Sequence, residues 1–148
     1  MNARTAGLFL FLGLLACAPK PGTVAISVEE KVFLDKMKQR EDARADLRLT
    51  PDKYIKGVDW RRYDSGIFND YTRATAVEFA NNSDFDVTEI RGKITYLSAS
   101  FVEMAIVPFT ASGELPAGAR AKLSVSAGEI SGRATNAKVT VESVRVRN

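Results

Sequence analysis

The chain has 148 residues, 45% of them hydrophobic, with 21 basic against 18 acidic side chains and a formal charge of +3. That near-balance supplies no strong field for a polyanion, so no nucleic-acid partner is expected. The chain has no histidine and a single cysteine, which excludes Ser–His and Cys–His nucleophile systems, zinc sites of the His/Cys type and any intramolecular disulfide. No cofactor and no metal are expected, and the only catalysis left open is that of carboxylates or lysines.

The first element is Met1–Ala16. A basic Arg4 precedes an apolar run from Ala6 to Leu15, and Leu14-Leu15-Ala16 lead into Cys17. The run falls short of the ~20 residues that span a bilayer and suits the ~7–15 of an export-signal core. Gly7, Gly13, Pro19, Pro21 and Gly22 also speak against a buried helix. Small residues before a lone cysteine resemble the lipobox of bacterial lipoproteins. The resemblance implies that residues 1–16 are removed and that Cys17 becomes a lipidated N-terminus anchoring the protein to a membrane. It implies a diacylglyceryl group and an N-acyl chain. Ala18 after the cysteine, rather than Asp, implies outer-membrane sorting with the protein facing the periplasm. Each buried methylene contributes ~0.8 kcal/mol and stable anchoring takes more than one chain, so the implied modification suffices. Residues 17–26 read as a tether, because Pro19, Pro21 and Gly22 favour extended chain.

Residues 27–48 predict a helix. Ser27 and Glu30 form a capping-box pattern, acidic Glu29 and Glu30 suit the positive helix end, and Arg44 and Arg48 suit the negative one. Val28, Val32, Phe33 and Met37 make an apolar patch on the first half only. The second half is almost wholly charged, so the apolar repeat fails after Met37 and a sustained coiled coil is disfavoured. Two readings stand: a solvated helix docked at one end, or a partner-binding or oligomerising helix with Phe33 and Met37 at its contact. Thr50-Pro51 then resets the chain, either capping a short helical turn or opening an edge strand.

Residues 50–148 change vocabulary to Val, Ile, Thr, Tyr and Phe in short runs between turn residues, which predicts an all-β domain. The expected strands are Tyr54–Tyr63, Thr72–Ala80, Thr88–Ser98, Phe101–Thr110, Ala121–Ala127 and Lys138–Arg147. Asp64-Ser65-Gly66, Asn81-Asn82-Ser83-Asp84, Ser112-Gly113 and Pro116-Ala117-Gly118 are the turns between them. Ile90, Gly92, Ile94 and Tyr96 share one face of their strand, so that face is buried, with Gly92 leaving room for Trp60. In the last strand Val139 and Val141 lie on the opposite parity from Val144 and Val146, and a β-bulge near Glu142-Ser143 restores one apolar face. The fold class is mainly β: an antiparallel, immunoglobulin-like β-sandwich preceded by one N-terminal helix and a tether.

Val77-Glu78-Phe79-Ala80-Asn81-Asn82-Ser83, Ile90-Arg91-Gly92-Lys93-Ile94-Thr95-Tyr96 and Gly113-Glu114-Leu115-Pro116-Ala117-Gly118 together resemble small bacterial immunoglobulin-like domains of the FxLYD type. The resemblance spans roughly residues 54–147 and implies a mostly non-catalytic module. Ser98 stands where the signature carries an aspartate.

Four further clusters bear on function. The turn from Asn81 to Asp86 offers oxygen atoms but lacks calcium-loop spacing and reads as a hairpin turn. Trp60, Tyr63, Phe68 and Tyr71 flank one turn and suggest an aromatic ligand or glycan platform, with Trp60 and Tyr63 at its centre. Arg61 and Arg62 alternate along a strand and form no single basic face. Asp64 and Asp70 are a carboxylate pair of unfixed separation. The expected function is a membrane-anchored, non-enzymatic accessory or adaptor subunit with a protein partner in the bacterial envelope. A ligand- or glycan-binding lipoprotein is the alternative.

Overall fold

The structure, a computed structural model, describes residues 26–65 and 70–147. The export signal, Cys17, most of the tether and Phe68 lie outside the described residues. Helix α1 (Val28–Leu49) starts as the sequence dictates: Ser27 is its N-cap and the hydroxyl accepts from Glu30 N at 3.1 Å. A short helix α2 (Pro51–Tyr54) follows, with Pro51 in its first turn. Thr50 does not cap α2 through its side chain. Its hydroxyl bonds back to Asp46, to the carbonyl at 2.9 Å and the carboxylate at 3.0 Å, so Thr50 closes α1 instead.

Seven strands follow among the described residues: β1 (Ile55–Ser65), β2 (Tyr71–Asn81), β3 (Val87–Leu97), β4 (Glu103–Leu115), β5 (Arg120–Ala127), β6 (Ile130–Ser131) and β7 (Asn136–Val146). The protein is mainly β, as its vocabulary predicts. All pairings are antiparallel, in the order β1-β2-β5-β4-β3-β7, with β6 adding to β2. The two layers belong to one curled sheet, and β5 is the hinge. Its first half pairs with β2 (Ser124 opposite Ala76) and its second half with β4 (Ala127 opposite Phe109).

Between these layers lies one core built from Val77, Phe79, Ile90, Ile94, Phe109, Leu115, Leu123 and their neighbours. Phe79 of β2 stacks on Phe109 of β4, centroids 6.0 Å apart. Tyr96 of β3 crosses the core, and its hydroxyl accepts from Ala74 N at 2.8 Å. Ala74 sits where β2 lies between its β5 and β6 pairings, so the tyrosine satisfies a donor left without a ladder partner. Burial raises the Tyr96 pKa, which keeps the phenol neutral.

Several sequence expectations need correction. Tyr54 closes α2 and does not open the first strand, β1 runs through Asp64 and Ser65, which were expected in a turn, and β4 opens at Glu103, leaving Phe101 in the turn before it. Ser112-Gly113 is not a turn: β4 runs through it to Leu115, and the only turn there is Pro116–Gly118, with Gly118 at φ 68°. The two-residue β6 escaped notice, being too short to show alternation. Trp60 does not fill the space at Gly92. It packs edge-on to Tyr96 at 5.6 Å, whereas Gly92 faces Phe109 and the Thr140 carbonyl. The bulge in β7 is where the valine parity places it: Arg91 pairs with Ser143 and Gly92 with Val141, leaving Glu142 as the extra residue.

Candidate contact surfaces

Helix α1 is attached by its last turns alone. Leu47 is buried in the core, and residues 26–43 are all exposed. Arg40 and Arg44 lie over the Phe85 ring at 5.9 and 5.5 Å, and Arg44 donates to the Arg147 carbonyl at 3.0 Å. Cation–π contact of this kind holds the helix to the β2–β3 loop.

The junction is completed by Asp46. Its carboxylate accepts from the Tyr54 hydroxyl, from Lys53 Nζ at 3.0 Å and from Thr50, tying α1 to α2. These bonds, Tyr54 first, then Lys53 and Thr50, hold the Asp46 pKa down at about 2, below its ordinary 3.8. A depressed carboxylate contributes stability above its unfolded pKa and loses it as pH falls through the folded one. The junction is therefore expected to loosen between about pH 4 and about pH 2. Asp46→Asn should flatten that acid limb, read from far-UV circular dichroism of α1 across the window. An acid limb as steep in Asp46→Asn as in wild type would assign the transition to other carboxylates.

The exposed part of α1 carries the contact residues expected from sequence. Phe33 is 62% exposed and Met37 45%, with Val28, Val32 and Leu34 also open to water. Five large apolar side chains on one unsupported helix are more than scattered surface hydrophobics account for.

Trp60 and Tyr63 are not brought together. Register on β1 turns Trp60 inward, opposite Val77, and Tyr63 outward, opposite Arg73, whose guanidinium lies 5.9 Å from its ring. The aromatic platform thus loses its tryptophan to the core. Asp64 is likewise occupied, by Arg62 Nε at 3.0 Å and the Thr72 hydroxyl at 3.1 Å. Around Asn81–Asp86, side chains are spent on the turn itself: Asp86 accepts from Ala117 N at 2.9 Å and Asn81 binds three carbonyls. Among the described residues no group of three or more His, Cys, Asp or Glu side chains is placed to hold a metal ion, and no helix is long and apolar enough to cross a membrane.

Sequence reasoning missed a second apolar surface. The β3–β4 turn presents Phe101 and Val102, and β4 continues it with Met104 and Ile106. Phe101 has φ 59°, a left-handed conformation that a bulky side chain adopts at a cost. Leu97 pairs with Asn136, at the far end of β7 from Arg147, so this turn stands at the pole opposite the α1 junction. β4 is also a free edge from Glu103 to Pro108, since β5 reaches it only at Phe109–Ala111. Pro108 within the strand was the available signal, because proline inside a strand marks an edge. Comparison of the chain with known protein families, with curated proteins and with solved structures finds no match.

Proposed function

We propose that this protein is a non-enzymatic lipoprotein, anchored through Cys17, that serves as an accessory or adaptor subunit in a bacterial envelope. Proteins contact it chiefly through α1. The observation that carries this reading is the exposure of Phe33 and Met37 on a helix that projects from a firmly packed β domain. A helix of that kind gains its stability from an apolar face buried against something, and here the β domain covers only its last turns. Helix-in-groove docking is the recognition mode that fits. The β4 edge supplies a second mode, strand addition, at the other pole.

Membrane fractionation tests the anchor and crosslinking tests the adaptor. Cys17→Ser should move the protein from the membrane fraction to the soluble one, and retention in the membrane would reject lipid anchoring. After mild crosslinking in cells, wild type should be recovered with a protein partner that Phe33→Glu and Met37→Glu no longer capture. Recovery of the wild-type chain free of any crosslinked protein would reject the adaptor reading.

A further inference from the structure

We infer that α1 pairs with α1 of a second copy of this chain, antiparallel, about a two-fold axis beside Asp35. This rests on the reading of α1 as the contact surface and names its occupant. Glu30, Phe33, Met37, Arg40 and Arg44 succeed one another in alternating steps of three and four residues. Such steps keep side chains on one seam of a 3.6-residue helix.

The β domain touches this seam only at Arg40 and Arg44, which lie over Phe85, and leaves Glu30, Phe33 and Met37 exposed. Phe85 and Asp84 meet α1 beside Lys36, Gln39, Arg40 and Ala43. Met37, Arg40, Glu41 and Arg44 line an open groove of ≈ 260 Å³. Phe33 is exposed one turn N-terminal of Met37.

Charge decides how two copies fit. A parallel, in-register pair would set Glu30, Arg40 and Arg44 each against its own copy, three like-charge contacts in one short seam. The antiparallel register that sets Phe33 against the partner's Met37 also sets Glu30 against the partner's Arg40. Two-fold symmetry repeats both contacts. Neither Glu30 nor Arg40 takes part in an ion pair within the chain, among the described residues.

Sedimentation equilibrium of the detergent-solubilised full chain, over a concentration series, tests the pairing. Wild type should fit a monomer–dimer equilibrium. Glu30→Arg alone, and Arg40→Glu alone, should each raise the dissociation constant about tenfold, since two symmetry-related pairs turn from attraction to repulsion. The chain carrying both substitutions should return to the wild-type constant, and thermal melting of the β domain serves as the folding control. A monomer throughout the series, or a double variant no tighter than the singles, overturns the pairing. If wild type is monomeric but Met37→Glu still abolishes crosslinking to a different protein, self-pairing fails and the adaptor reading survives. If neither self-association nor crosslinking is seen, both fail.

Discussion

Asn81→Asp is expected to destabilise the β domain by about 3–5 kcal/mol at neutral pH, although it changes a single atom type in the side chain. Asn81 is 1% exposed at the end of β2. Its Nδ2 donates to the carbonyls of Phe85, Leu115 and Pro116 at 2.8, 3.2 and 3.0 Å. Its Oδ1 accepts from Ser83 N at 3.0 Å and Ser83 Oγ at 2.7 Å. One amide therefore joins the β2–β3 turn to the β4–β5 turn. A carboxylate would keep the contacts to Ser83 and turn an oxygen toward three carbonyl oxygens in a buried site. The introduced carboxyl should have a raised folded-state pKa, so the variant should recover stability as pH falls and the group protonates. Urea denaturation at pH 7 and pH 4 reads both effects. A variant with wild-type stability at pH 7 would show that the amide orientation or the turn is not as described.

Gly92→Ala should have an effect of similar size, above about 3 kcal/mol, because the added atom meets backbone. A Cβ at Gly92 would lie 2.0 Å from the Thr140 carbonyl oxygen and 3.0 Å from Phe109 Cε1. Backbone cannot swing aside as a side-chain tip can, and β3 is held between β4 and β7. The only relief is to part β3 from β7 or to lose the bulge at Glu142. Gly118→Ala is the control: its φ of 68° is unfavourable for alanine, but nothing lies within 4 Å of the new atom. It should cost only about 1 kcal/mol, from backbone strain. Denaturation midpoints separate the two, and a tolerated Gly92→Ala would overturn the β3–β7 register.

Gly92 also shows where reading residues in isolation stops. The glycine in an apolar face correctly marked a close approach, and the valine parity of the last strand correctly marked a bulge. They are one feature, since the glycine is needed where the bulge brings the Thr140 carbonyl inward. Linking them requires the pairing of strands far apart in the chain, which local pattern does not encode. Trp60 shows the same limit: the room at Gly92 suggests it as a neighbour, but packing between the layers sets it against Tyr96 instead.

The candidate contact surface divides in the same way. Phe33 and Met37 were legible because a helical period with a cap is a local signal, and their exposure follows from the absence of matching apolar residues further along. The turn at Phe101 was not legible, since exposed and buried phenylalanine look alike in a sequence. The free edge of β4 exists only because β5 leaves it for β2.

By itself the sequence determined the elements and their chemistry: a capped charged helix, a β domain, a bulge, no histidine and one cysteine. These follow from short-range periodicity, capping and composition, which act within a turn or a strand. Only the tertiary structure decided that β5 joins both layers, that Asn81 and Asp46 are the polar ties at one end, and that α1 projects with its apolar face open. Those depend on which distant strands meet, a choice made by burial of the whole core rather than by any one segment.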